Sequence, residues 1–128
     1  MIFDASSIYI LLKKGKPEIL RDTVTLDFAF YEIGNALVKE LRRKLISEES
    51  FTTMIEVLAA LNELMTVVKF ERLEPNSVAK ASKVSGLTFY DASYLALAVM
   101  SKDSITTDDG KLCEEALKMK LRVFKASS

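Results

Sequence analysis

The chain has 128 residues, of which 49% are hydrophobic and 28% charged, and its 18 basic and 18 acidic side chains give no net charge. This length suits one globular domain with a full core, so we expect residues 1–128 to form a single domain. The chain contains one cysteine, Cys113, and no histidine, which excludes a disulfide framework, a thiolate zinc site and any mechanism with a histidine base. Chemistry must therefore come from carboxylates, hydroxyls, lysines or a bound metal ion.

Predicted strands and helices alternate along the chain. In order, the pattern indicates a strand at 1–3, helices at 6–14 and 17–21, a strand at 23–26, helices at 30–45 and 47–65, a strand at 67–70, a short helix ending at Gly86, a buried helix opening at Asp91, a strand at 104–107, a helix at 110–120 and a strand at 121–124. Such alternation predicts a parallel sheet covered on both faces by helices. Ligands of these sheets bind outside the carboxyl ends of the strands.

The helix predicted over 30–45 has two different stripes at helical spacing. The first is apolar and is expected to lie in the core: Phe30, Ile33, Leu37, Leu41 and Leu45. The second is polar and falls on another side of the helix: Glu32, Asn35, Lys39 and Arg42. A wide apolar face on the next helix, 47–65, fits core packing and a partner surface equally well.

Acidic residues follow two predicted strands and open two predicted helices. Asp4 follows the first strand, Asp108 and Asp109 follow the fourth, and Glu32 and Asp91 lie early in helices. Because these positions share one edge of the sheet, we expect the carboxylates to converge. Like charges held together call for a bound cation, and ligation by oxygen alone favours Mg²⁺ or Mn²⁺ over zinc. Magnesium held by carboxylates serves mainly phosphoryl chemistry.

Each acid except Asp4 also has a purely structural interpretation. Thr88 and Asp91 fit a helix-capping box. Either Asp108 or Asp109 could cap the helix that begins at Gly110, and Glu32 could complement a helix dipole. Asp4 is harder to explain in this way, because an acid placed directly after a buried strand needs a partner.

The motifs that carry these acids resemble, in the same order, those of the PIN-domain family and specifically of the VapC-type toxin ribonucleases. They are Phe3-Asp4-Ala5-Ser6, Tyr31-Glu32-Ile33-Gly34-Asn35-Ala36-Leu37, Tyr90-Asp91-Ala92-Ser93-Tyr94-Leu95-Ala96-Leu97-Ala98 and Thr107-Asp108-Asp109-Gly110-Lys111-Leu112. The resemblance implies a three-layer α/β/α fold around a five-stranded parallel sheet of order 3-2-1-4-5. It also implies a divalent-metal site and endonucleolytic cleavage of RNA.

Carried over by position, the resemblance assigns a role to each motif residue. Asp4, Glu32 and Asp91 match the three main acids of the family. The fourth acid follows a threonine by two positions and precedes a leucine by three, which makes Asp109 the match and Asp108 the second candidate. The supporting polar residues are Ser6, Asn35 and Thr107. Lys39 and Arg42 are candidate contacts for RNA phosphates, although a solvated helix face also explains them.

The resemblance further implies a cognate antitoxin and a homodimer. No targeting peptide or membrane span is visible in the sequence, so a cytoplasmic location is expected. Two other classes of function remain open. One is a PIN-fold binding module that has lost catalysis. The other is a phosphoaspartate-type phosphotransfer or phosphatase domain, although such phosphatases place a second acid where this chain has Ser6.

Overall fold

Five short parallel strands form one sheet through the middle of the molecule. The computed structural model describes residues 1–128. Its strands are β1 (Ile2–Phe3), β2 (Val24–Leu26), β3 (Thr66–Val68), β4 (Ile105–Thr106) and β5 (Val123–Phe124), in the order β3-β2-β1-β4-β5. In the central strand, Ile2 is in register with Val24 on one side and Ile105 on the other. The predicted α/β fold and its strand order are confirmed.

Six α-helices connect the strands. They are α1 (Ala5–Lys13), α2 (Phe28–Arg42), α3 (Glu48–Leu64), α4 (Pro75–Ser85), α5 (Phe89–Ser101) and α6 (Gly110–Lys118), with short 3-10 turns at Pro17–Leu20 and Phe70–Arg72. Helix α4 ends at Gly86, as predicted. Gly86 has a φ of 77°, a left-handed conformation that favours glycine. No helix has the length and apolar character that crossing a membrane requires.

Two hydrophobic cores lie on the two faces of the sheet. Because strand side chains alternate in direction, Ile2 packs with α4, α5 and α6, whereas the adjacent Phe3 packs with α1, α2 and α3. The apolar helix α5 contributes most to the first core, with Ala92 to Leu95, Leu97 and Ala98 all buried. This burial fixes the position of the first turn of α5, where Asp91 lies.

The long second helix differs from its prediction at both ends. It begins at Phe28, directly after Asp27, and ends at Arg42 rather than Leu45. Lys44 takes a left-handed φ of 58° that turns the chain toward α3, and Leu45 is 66% exposed instead of lying in the core. Ile33 and Leu37 are buried as expected. The earlier start also places Glu32 beyond the first helical turn, so the interpretation that it complements the dipole there is wrong.

Candidate active site

Asp4 is the most enclosed acid of the site and both of its carboxylate oxygens are hydrogen-bonded. It caps α1 by accepting the Ser7 N–H at 2.9 Å, and its other oxygen accepts the Thr107 hydroxyl at 2.6 Å. Only 4% of the residue is exposed. Burial raises the pKa of the Asp4 carboxyl, the bonds from Thr107 and Ser7 oppose this, and the negative charge of Asp109 adds to it.

Thr107 links Asp4 to Asp109. The Thr107 hydroxyl donates to Asp4 and accepts the backbone N–H of Asp109 at 3.1 Å. Asp109 caps α6, since one of its oxygens accepts the Leu112 N–H at 2.8 Å. The capping interpretation is therefore confirmed for Asp109. It leaves the second oxygen of this exposed carboxylate free to face the other acids.

Glu32 and Asp91 complete the group, and neither carboxylate accepts a hydrogen bond. The Thr88 hydroxyl accepts the Asp91 N–H at 3.1 Å, but the Asp91 side chain makes no return bond, so only half of the capping box forms. Burial and then the charges of Asp109 and Asp4 raise the pKa of Asp91. Glu32 is exposed on α2, and partial desolvation of its carboxylate and then the charges of Asp91 and Asp4 raise its pKa. Through these interactions Asp4, Glu32, Asp91 and Asp109 form one connected group of negative charges.

The Asp108 carboxylate is directed to the end of the chain rather than to the acid group. One of its oxygens accepts the backbone N–H groups of Ala126 and Ser127 at 2.8 and 3.3 Å, and the other accepts the Ser127 hydroxyl. Burial opposes ionisation, but these bonds and the charge of Lys125 hold the pKa of Asp108 below its usual value. Of the two candidates for the fourth acid, the structure brings Asp109 toward Asp4 and ties Asp108 to the segment 125–128.

Of the supporting residues predicted from the motifs, Thr107 is buried between Asp4 and Asp109, whereas Ser6 and Asn35 are exposed. Ser6 is exposed and its hydroxyl makes no hydrogen bond, whereas the adjacent Ser7 is buried, donates its hydroxyl to the Thr106 carbonyl at 3.1 Å and donates its N–H to Asp4. Sequence reasoning missed Ser7, which the N-cap geometry of Asp4 could have identified. Asn35, Lys39 and Arg42 are exposed on α2, and no side-chain hydrogen bond or ion pair involves them.

Tyr94 is a second residue near the acids, after Ser7, to which sequence reasoning gave no role in the site. It lies one turn after Asp91 on α5, is 2% exposed and packs edge-on against Phe28, with ring centroids 5.4 Å apart. Its hydroxyl has no hydrogen-bond partner. Burial raises the pKa of this phenol, the neighbouring Thr25 hydroxyl and Ala5 backbone oppose this, and the negative charges of Glu32 and Asp4 add to it. A polar group thus lies in the core close to two of the acids.

The donor set of this site suits a hard divalent cation. All candidate ligands are carboxylate oxygens, which Mg²⁺ and Mn²⁺ prefer. Burial, with a smaller contribution from mutual repulsion, raises the pKa values of three of them, and a bound cation would relieve that repulsion. No three acidic, histidine or cysteine side chains are arranged closely enough to hold one ion together as they stand. The residues present therefore fit a metal by their chemistry, and coordination itself remains a prediction.

Known proteins share this fold and part of this sequence, although no protein-family model matches the chain. Ribonuclease VapC3 from Pyrobaculum aerophilum is 36% identical over 91 residues, which are 71% of this chain and 69% of that protein. The crystal structure of PAE2754 from the same organism superposes with a TM-score of 0.80 at 26% identity, over 98% of this chain and 83% of that one. A PilT N-terminus domain protein, SSO1118 from Sulfolobus solfataricus P2, shares the fold at a TM-score of 0.52 and 12% identity, over 98% and 86% of the two chains. The chain therefore belongs to the VapC-type branch of the PIN-domain family.

Proposed function

We propose that this protein is a divalent-metal-dependent endoribonuclease that hydrolyses phosphodiester bonds of RNA, acting as the toxin of a VapBC-type toxin–antitoxin pair. One observation carries the proposal. Four carboxylates, from the residue after β1, from α2, from α5 and from the loop after β4, gather at one edge of the sheet, where burial and neighbouring negative charges raise the pKa values of Asp4, Glu32 and Asp91. The relative named Ribonuclease VapC3 supports the same reaction class.

In this proposal Asp4, Asp91 and Asp109 hold the metal ion, and Glu32 holds a second ion or orients the attacking water. The bound Mg²⁺ or Mn²⁺ would polarise the phosphodiester and stabilise charge that develops on the leaving oxygen. Thr107 and Ser7 fix the direction of the Asp4 carboxylate through their hydrogen bonds. Each Asp4 oxygen accepts a single hydrogen bond and so keeps a second lone pair for the metal ion.

Glu32 is suited to proton transfer because nothing in the chain holds its carboxylate. Its pKa is raised, which strengthens it as a base. Water would attack phosphorus in line with the leaving oxygen, and the P–O bond to that oxygen would break. Glu32 would take one proton of the water, and the leaving oxygen would gain a proton from solvent to become a hydroxyl group. A cavity of about 320 Å³ beside Glu32, lined by Ser6, Tyr9 and Ile10 among others, is a candidate position for part of the substrate. Lys39 and Arg42 remain candidate contacts for flanking phosphates.

The proposal includes two protein partners and a cytoplasmic site of action. A VapB-type antitoxin and a second copy of the chain are the partners that membership of this family suggests. An apolar groove of about 360 Å³ between α2 and α3, lined by Phe30, Tyr31, Ile55 and Leu58 among others, is a candidate contact surface. Tyr31 is 82% exposed at its edge.

The test is cleavage of a mixed set of labelled RNAs by the wild type, Asp4→Asn and Asp91→Asn, with Mg²⁺, with Mn²⁺ and with chelator. We expect cleavage only with metal, and a loss of at least about 100-fold in both variants, because each removes charge stabilisation at the reacting phosphate. Asp103→Asn is the matched control, since Asp103 pairs with the amino terminus at 2.8 Å and takes no part in the acid group.

Two outcomes would contradict the proposal. Cleavage that continues in chelator or in both site variants would place the activity elsewhere or in a contaminant. A wild type that cuts none of the RNAs and binds neither metal would instead favour the alternative of a PIN-fold binding module.

A further inference from the structure

The loop after β4 directs its three consecutive side chains to two different places. Thr107 and Asp109 contribute to the acid group through the bonds that link them to each other and to Asp4. Asp108, between them, is bonded to the segment 125–128. Any movement of this segment would therefore act on the peptide units that orient Thr107 and Asp109.

The segment 125–128 is itself held from two other sides. The Lys14 ammonium group, at the end of α1, donates to the Ala126 carbonyl at 3.0 Å. The Ala126 side chain is 8% exposed and packs in the core formed by α1, α2 and α3. Asp108 is thus anchored to a fixed part of the molecule rather than to a loose end.

The strands alone give this loop little support. Strands β4 and β5 have two residues each, and the bond from the Thr107 N–H to the Phe124 carbonyl, at 2.9 Å, is the last backbone bond between these two chain segments before the acids. The three bonds of Asp108 extend the connection beyond that point. They satisfy backbone donors of 126 and 127 that β4 is too short to reach.

We propose that Asp108 is a positioning residue, whose carboxylate joins the segment 125–128 to the β4–α6 loop and so holds Thr107 and Asp109 in place against Asp4. This inference rests on the proposed function for its consequence in catalysis, but its structural part does not. It gives Asp108 a role other than metal ligation, because its carboxylate is bonded to Ala126 and Ser127 rather than to any part of the acid group.

The experiment compares Asp108→Ala, Asp108→Asn and Asp109→Asn with the wild type by two measurements. The first is amide hydrogen exchange at Asp109 and Leu112, whose N–H groups are bonded within the loop. The second is Mn²⁺ affinity by calorimetry, with kcat and KM added for any RNA that the wild type cleaves. Asp103→Asn again serves as the control for the loss of a hydrogen-bonded surface carboxylate.

We expect Asp108→Ala to exchange both amides faster than the wild type. Its Mn²⁺ affinity and its kcat should each fall on the order of 10-fold, with KM little changed, because a metal ligand loses the residue that supports it. Asp108→Asn keeps an acceptor oxygen for the two backbone donors and should behave like the wild type. Asp109→Asn should lose Mn²⁺ affinity while its amide exchange stays close to normal, because asparagine caps a helix as well as aspartate.

Different results contradict different claims. If Asp108→Asn lost Mn²⁺ as strongly as Asp109→Asn, with normal amide exchange, Asp108 would be a ligand. If Asp108→Ala matched the wild type in exchange and affinity, the connection would hold nothing in place. A wild type that binds no Mn²⁺ contradicts the proposed function, and amide exchange in Asp108→Ala still decides whether Asp108 positions the loop.

Discussion

The four acids of the candidate site form two pairs that differ in how their carboxylates are held. Asp4 and Asp109 accept hydrogen bonds from Ser7, Thr107 and Leu112, and both cap helices. Glu32 and Asp91 accept none, and burial and neighbouring negative charge raise their pKa values. The first pair belongs to the framework of the fold, whereas the second pair is placed by its helices and is otherwise unsupported.

This difference separates stability from chemistry within one site. Removing a hydrogen-bonded carboxylate should harm both the fold and the reaction, because donors lose their acceptor. Removing an unsupported one should harm the reaction alone and should stabilise the fold, because repulsion decreases. Such a trade-off between stability and activity is common where like charges are gathered for a ligand.

The largest expected effect on stability is that of Asp4→Ala. The change removes the cap of α1 and leaves the buried Thr107 hydroxyl without its acceptor. We expect the free energy of unfolding to fall by about 2 kcal/mol, since a lost cap costs about 1 kcal/mol and an unsatisfied buried donor about as much or more. Urea unfolding followed by circular dichroism measures this loss of unfolding free energy.

Asp4→Asn is the matched control for this prediction. It removes the charge but keeps one acceptor oxygen, so it should lose less stability than Asp4→Ala while losing as much activity. Equal stability of Asp4→Ala and the wild type would show that the hydrogen bonds of Asp4 do not support the fold.

A smaller effect of opposite sign is expected for Asp91→Asn. The raised pKa of Asp91 means that its charged form is disfavoured in the folded state. Its contribution to stability is therefore most favourable below its unfolded pKa and is lost as the pH rises through the folded pKa. At pH 7 the variant should be more stable than the wild type, by about 0.5 kcal/mol after allowance for solvent screening. Its cleavage activity should fall at least about 100-fold.

The pH dependence of this advantage provides the check. Unfolding of both proteins is measured from pH 7 down to about pH 3.5, below the ordinary pKa of an aspartate. The difference between them should shrink toward zero, because both side chains are then uncharged. An advantage that persists at low pH would have a cause other than charge.

Much of the fold was predictable from local pattern. Strand and helix alternation gave the element order, and burial of α5 followed from its lack of a polar face. Most boundaries differ from their predictions by two residues at most. The end of α2 was wrong because the apolar spacing continues to Leu45, while the left-handed turn at Lys44 depends on how α2 meets α3.

The acids of the site were found from strand ends and helix starts, and their assignment as ligands stays a prediction. Thr107 was named as a supporting residue, but its bond to Asp4 was not predicted, because hydrogen bonds between residues distant in sequence leave no local signal. Thr107 to Asp4 and Asp108 to Ser127 are of this kind. The unpaired hydroxyl of Tyr94 was hidden for a similar reason, since a tyrosine in an apolar helix looks like any core residue.

The measurement that tests the central claim most directly is calorimetric titration of Mn²⁺ into the wild type and Asp91→Asn at neutral pH, with Asp103→Asn as control. If the four carboxylates form one cation site, the wild type and the control will bind Mn²⁺ alike. Asp91→Asn will then bind at least about 10-fold more weakly, while remaining folded and at least as stable. Equal Mn²⁺ binding by Asp91→Asn and the wild type, or no binding by the wild type, would contradict the assignment of these acids as a metal-dependent active site.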